Sequence, residues 1–230
     1  MMADLSRTAL VASVWVLPVI FAITLHEAAH GYAALRFGDD TALRAGRISM
    51  NPLRHIDPFG TLLLPAMLLL FHSPFMFGYA KPVPVDFGRL RHPRRDMIWV
   101  AAAGPGINIV LALMSALLIH AAALAPGWAA PWLIENLKNS LVINVILAVF
   151  NMIPLPPLDG GRVAVGLLPD ALAFPLARLE RFGLAILVGA LFLLPFLGAQ
   201  FGLDLNIFRW IIGVPAEALI ELIATLTGHG

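Results

Sequence analysis

His26, Glu27 and His30 lie in the segment Thr24-Leu-His-Glu-Ala-Ala-His-Gly31. On a helix, residues four apart stack on one face, so both imidazoles can reach a single metal ion. The glutamate next to the first histidine has the spacing at which zinc hydrolases place the general base that activates water. All three sit at the end of an apolar run from Thr8 to Leu25. An ionisable group at the centre of a membrane helix costs roughly 2.5–3.5 kcal/mol on insertion scales, so such a cluster implies a function.

A catalytic zinc keeps three protein ligands and one open position. Cysteine is absent from the chain, which excludes thiolate zinc sites, disulfides and a cysteine nucleophile. The best source of the third ligand is Asn151-Met-Ile-Pro-Leu-Pro-Pro-Leu-Asp159-Gly-Gly-Arg162. Pro154, Pro156 and Pro157 forbid a continuous helix, while Gly160 and Gly161 allow a sharp turn or a close backbone approach. Asp159 is therefore the expected third ligand. Asn108 and Asn151 are amide donors that could hold a substrate backbone or a developing oxyanion. Each could equally make an interhelical hydrogen bond or a cap.

The elements that must carry these groups are membrane helices. Of the 230 residues, 60% are hydrophobic and 13% charged, against about 25% charged in a soluble domain. The expected fold is an all-α polytopic membrane protein forming one integral domain over residues 1–230. Its catalytic core would cover about 8–168 and its C-terminal helices about 180–227. Apolar stretches near the roughly 20 residues a crossing needs run over 10–37, 97–124, 134–153, 182–203 and 207–226. A sixth, 60–77, is shorter and broken by Pro65 and Pro74. The first run carries the metal motif, so it is expected to be retained and not cleaved as a signal peptide.

Direction decides the role of 60–77. If it crosses fully, Asp159 emerges on the opposite side from His26 and His30. If it re-enters, Asp159 meets them, and non-helical backbone at that depth is tolerated where protein or water covers it. Charge agrees with re-entry. That topology places every arginine and lysine except Arg7, Lys138 and Arg209 on the side of the histidines, which the positive-inside rule makes cytoplasmic. The expectation is five crossings, or six if 60–77 spans, with the active site toward the cytoplasm of a plasma membrane. Residues 43–50 alternate partly and read as a short strand, part of a small membrane-associated β-hairpin or sheet. Lys81-Pro-Val-Pro-Val85 must be extended. Either segment could lie beside an unwound substrate, the former making the better strand edge.

The other histidines carry less weight. His72 falls in the re-entrant run, His120 near the far end of a helix, His55 and His92 in basic loops, and His229 near the terminus. The arginines from Arg89 to Arg95 most simply meet anionic headgroups. A net charge of +1 and the lack of a basic run interleaved with aromatics argue against nucleic acid.

With these motifs in place, the chain resembles the site-2 proteases, zinc metalloproteases that cleave transmembrane segments of other proteins. The resemblance rests on His26-Glu27-Ala-Ala-His30 and on Asn151-x-x-Pro154-x-Pro156-x-Leu158-Asp159-Gly160. It extends to Gly104-Pro105-Gly106-Ile107-Asn108 and, in the small prokaryotic branch, to Gly46–Pro52, His55–Pro58 and Gly78–Val85. It covers about residues 20–165. It implies one Zn2+ per chain held by His26, His30 and Asp159, with Glu27 as base. Partners would be the bilayer and transmembrane segments of membrane-protein substrates. Many members carry PDZ or paired CBS domains, and this chain shows neither. The competing expectation is a zinc transporter or sensor without proteolysis, which calls for further ionisable groups stepping across the bilayer. The helix cores supply almost none. A catalytically silent homologue would have lost Glu27 or a ligand, and none is lost. Substrate identity and oligomeric state are not written in the sequence.

Overall fold

The computed structural model describes residues 2–55, 57–63, 67 and 81–229, and among these it contains helices and no strand. The helices are α1 (Met2–Arg36), α2 (Thr41–Arg44), α3 (Pro93–Ala122), α4 (Ala130–Asn151), α5 (Asp159–Leu167), α6 (Asp170–Arg178), α7 (Glu180–Val188), α8 (Leu194–Gln200) and α9 (Val214–Leu226). Three helical stretches among the described residues are long and apolar enough to cross a membrane: Leu10–Arg36, Pro93–Ala122 and Ala130–Asn151.

α3 is the hub, lying against α1, α4 and α5. Its buried Ala112 and Ala116 meet Leu141 and Val145 of α4 and Ala216 and Ile223 of α9. Small side chains let apolar helices approach closely, where no water drives them together. Polar side chains add interhelical ties. Asn139 Nδ2 of α4 donates to Val14 O of α1 at 3.0 Å, and Trp132 Nε1 donates to Ser13 Oγ at 3.0 Å. The N-terminal half of α4 thus faces the N-terminal half of α1, so the two run parallel. α3 runs against both, with Asn108 opposite Ala22 and Val100 opposite His30. The chain from 37 to 92 therefore leaves and returns at one end of the bundle. Residues 64–66 and 68–80, on which the re-entrant reading and His72 fall, lie outside the described residues.

α1 stops at Gly38, whose φ of 111° is costly for other residues. Asp39 N–H reaches Ala34 O at 2.9 Å and Gly38 N–H reaches Leu35 O at 3.2 Å, the paired bonds of a Schellman end. Asp39, fully buried, then takes over. Its carboxylate accepts the Thr41 N–H and hydroxyl and, at 2.7 Å, the Asp86 N–H. This anchoring starts α2 where a strand over 43–50 was expected. Arg47 N–H bonds back to Ala42 O, and residues 45–50 form turns and unpaired chain. The expected β-hairpin is not found among the described residues.

The two C-terminal apolar runs are helical but segmented. π turns occupy Gly189–Leu193 and Arg209–Gly213, and a third covers Pro58–Leu63. In the two C-terminal turns a proline, Pro195 or Pro215, follows two residues after the turn ends. Proline brings no N–H to the ladder and crowds the carbonyl four residues back, and a widened turn accommodates both faults.

Candidate metal centre

α1 brings His26 and His30 to the face that meets α3. His26 and Asp159 are buried. His30 Nδ1 lies 2.7 Å from Val100 O, a carbonyl that can only accept, so this ring nitrogen carries the proton. His26 Nδ1 lies 2.6 Å from Asn108 Oδ1. Both rings therefore turn a bare Nε2 toward the same point, as metal-bound histidines do when their other nitrogen is hydrogen-bonded.

Asp159 reaches that point from the first residue of α5. The turn from Met152 to Leu158 contains a cis Pro156–Pro157 bond and folds α5 back on the end of α4. Gly160 and Gly161 make this fold possible. A Cβ on Gly160 would strike the backbone of Met152 and Ile153, and one on Gly161 would strike Leu155 and Pro156. Arg94 of α3 secures the other end of α5. Its Nη2 donates to Leu168 O, its Nε to Gly166 O at 3.2 Å, and its Nη1 to Asp170 at 2.5 Å. Arg94 is thus committed to closing carbonyls at a helix C-terminus. Arg89 is likewise paired with Asp40 and Asp86. Both side chains, expected at headgroups, also dock loops and a helix end.

The three groups converge. Nε2 of His26 and of His30 are 3.1 Å apart and lie 3.2 and 3.3 Å from Asp159 Oδ2. That oxygen is buried without a hydrogen-bond partner. Three lone-pair atoms facing one another repel unless a cation sits among them. Donors at about 2.0–2.1 Å from one tetrahedral centre are separated by about 3.3 Å. The cluster fits zinc in donor type and in spacing, and it is a candidate ion-binding group.

Gly104 of α3 forms the wall against which the imidazoles rest. A Cβ there would lie 2.6 Å from His26 Cε1 and would overlap His30 Nε2. Glu27, half-buried beside the cluster, accepts the Val83 N–H through Oε2 at 2.7 Å. The 81–85 segment thus bonds to Glu27 directly, while Val83 and Ile48 both lie against Gly31 at the end of the motif. The neighbouring loops hold 81–85 in place. Lys81 N–H donates to His55 O at 2.9 Å, and Arg47 Nη2 donates to Lys81 O at 2.6 Å.

Asn108 and Asn151 fare differently. Asn108 is fully buried and spends its oxygen on His26 and its nitrogen on Asn144 Oδ1 and Ala22 O. It orients a histidine and has no group left for a substrate. Asn151 closes α4 and donates to Leu147 O at 3.0 Å. Asn144, buried beside Asn108, escaped the sequence reading, although an asparagine in an apolar span is itself a signal. Of the remaining histidines, His120 bonds Thr227 O and stacks on His229 with ring centroids 4.0 Å apart. His92 lies near Asp96, and His55 bonds Ser49 O.

Comparison with known proteins agrees with this chemistry. No family model matches the chain, and no solved structure matches it. It is 35% identical over 189 residues, 78% of this chain and 80% of the relative, to the Bacillus subtilis protein named "Putative zinc metalloprotease YwhC". It is 30% identical over 184 residues to "Putative zinc metalloprotease Rip2" of Mycobacterium tuberculosis, covering 79% of this chain and 67% of that one. The Rip2 of Mycolicibacterium smegmatis is 29% identical over 190 residues, 81% and 70% of the two chains. The relatives' names support a zinc metalloprotease, and the apolar helices fit a membrane protein. The chain belongs to the site-2 protease family.

Proposed function

We propose that this protein is an intramembrane zinc endopeptidase that hydrolyses a peptide bond in or near the transmembrane segment of a membrane-protein substrate. The observation that carries the reading is the convergence of His26, His30 and Asp159 at the buried end of a spanning helix. These three would hold one Zn2+ per chain. The ion, when bound, supplies Lewis acidity, polarising a carbonyl and acidifying water. Glu27 takes a proton from the attacking water and later delivers it to the leaving amine. The Val83 N–H directs one Glu27 oxygen, leaving the other for the proton. Asn108 and the Val100 carbonyl keep both Nε2 atoms unprotonated toward the ion. Asn151, at the end of α4, gives one Nδ2 hydrogen to Leu147 O and has its second for a substrate backbone.

In the arrangement we propose, α1, α3 and α4 alternate across the bilayer, and the two proline-segmented C-terminal runs add a fourth and fifth crossing. The basic loops at the site's end of the bundle favour the cytoplasmic face of a plasma membrane. A substrate helix must unwind before hydrolysis because its own hydrogen bonds shield every peptide group. The test is cleavage of a panel of single-pass substrates by the purified protein. Glu27→Gln should abolish cleavage while leaving zinc bound, and Asp159→Ala should remove the zinc. Cleavage that survives Glu27→Gln would overturn the mechanism.

A further inference from the structure

We propose that Asn144 is a positioning residue for the metal centre, acting through Asn108 to fix the tautomer of His26. The inference rests on the reading of His26, His30 and Asp159 as a zinc site. Asn144 and Asn108 are 1% and 0% exposed, so neither amide can turn to water.

The orientation of the relay is forced from its outer end. Ser140 O can only accept, so the Asn144 nitrogen faces it, at 2.8 Å. The same nitrogen lies 3.3 Å from Ser140 Oγ, which is paired in turn with Ser115 Oγ at 2.8 Å. Asn144 therefore presents its oxygen to Asn108, whose Nδ2 donates to it at 2.7 Å. A second, longer contact from Asn108 Nδ2 to Ala22 O, 3.3 Å, agrees in sense. Asn108 must then show its oxygen to His26 Nδ1, at 2.6 Å. A neutral imidazole facing an acceptor at Nδ1 keeps its proton there and leaves Nε2 bare for the metal. Were the Asn108 amide reversed, its N–H would face Nδ1 and the ring proton would move to Nε2, pointing into the ligand cluster. Asn144, as the shorter of the two acceptors of Asn108, thus sets with Ala22 O which end of that amide faces His26.

The test uses the full chain in detergent with 15N-labelled histidine. It reads the His26 tautomer by NMR in metal-free protein and zinc affinity by competition with a chromophoric chelator. His26→Gln identifies the His26 signals. In the wild type, His26 is expected to carry its proton on Nδ1. Asn144→Leu, close in size and a good helix former, should give a mixture of tautomers and weaken zinc about 10-fold, the lower end of the range for lost outer partners of a ligand. Asn144→Asp, whose carboxyl protonates in so apolar a site, keeps an acceptor for Asn108 and a donor for Ser140 O, and should stay close to wild type in both readouts. Wild-type tautomer and affinity in Asn144→Leu overturn the proposal. So does weakening by both variants with no change of tautomer, which is what loss of packing alone would give. If Asn144→Leu does not fold, a wild-type His26 with no proton on Nδ1 is sufficient to overturn it. Zinc binding by the wild type that is indifferent to His26→Gln overturns the zinc-site reading instead, and is distinguished by that control.

Discussion

The Val83 main-chain N–H donates to Glu27 Oε2 at 2.7 Å, tying the expected catalytic base to a segment 56 residues downstream. Pro82 and Pro84 flank Val83 and have no N–H of their own. Val83 is thus the sole amide donor from 82 to 84, and the prolines keep the chain extended so that this donor points one way.

Val83→Pro should remove the donor while preserving an extended backbone. We expect kcat to fall by about 10²-fold, the cost of misplacing a catalytic group by about 1 Å, with KM little changed. Val83→Ala keeps the N–H and should retain most of kcat. Steady-state kinetics on a single-pass substrate separates the two, and equal losses would show that the side chain, packed on Gly31, matters instead of the amide.

Gly104→Ala should empty the metal site, since its methyl would overlap both imidazoles. Gly106, two residues on, has open space where a Cβ would go. Gly106→Ala should therefore keep its zinc and gain about 0.5–1 kcal/mol from helix entropy. Zinc per chain by elemental analysis, with helicity by circular dichroism, checks the contrast.

Much of the centre could be read ahead of the structure because its core is local. His26, Glu27 and His30 need only a helix to be neighbours. Asp159 could be named because the Pro–Gly break after an apolar span sets an acid where backbone lines a polar cavity, and the helix direction was fitted to it. Asn144 could not, because an isolated asparagine in an apolar helix does not name its partner on another helix. The strand expected over 43–50 failed for a similar reason. Its partial alternation is overridden by Asp39, whose bonds to Thr41 and Asp86 start a helix. The C-terminal runs were legible as apolar lengths, but their π turns depend on how each proline's missing bond is absorbed.

Arg94→Ala should loosen α5 without touching a ligand. It removes the donors to Gly166 O, Leu168 O and Asp170. The guanidinium is half exposed, so the stability loss should be modest, about 1 kcal/mol. Hydrogen exchange should rise over 159–168 and stay unchanged in α1, and a uniform rise across the bundle would contradict the local role.

Asp39 should make the loop after α1 sensitive to acid. Burial pushes its carboxyl up, but hydrogen bonds from Thr41 and Asp86, with Arg89 nearby, outweigh it and hold the group below the usual carboxylate range. A depressed folded-state value means the carboxylate stabilises the fold above the unfolded value of about 3.9. That contribution is lost as pH falls through the lower folded value. Asp39→Asn should melt earlier than wild type at pH 7, by about 1–3 kcal/mol of stability. The gap should narrow only below about pH 4. A gap independent of pH down to acid unfolding would rule out the carboxylate charge as its source.

The docking of α5 against α3, which delivers Asp159 to the histidines, also has a consequence in time. His26 and His30 leave the ribosome early, but Asp159 is added only after a further 129 residues (159 − 30). At about 5–20 residues per second, that is a delay on the order of ten seconds. Throughout it the nascent chain is threading its own apolar segments into the bilayer past a motif that holds only two of the three proposed ligands. With the three residues holding the metal as proposed, the site stays incomplete while the apolar segments between α1 and α5 are inserted, and only the two C-terminal runs emerge after the last ligand is in the chain.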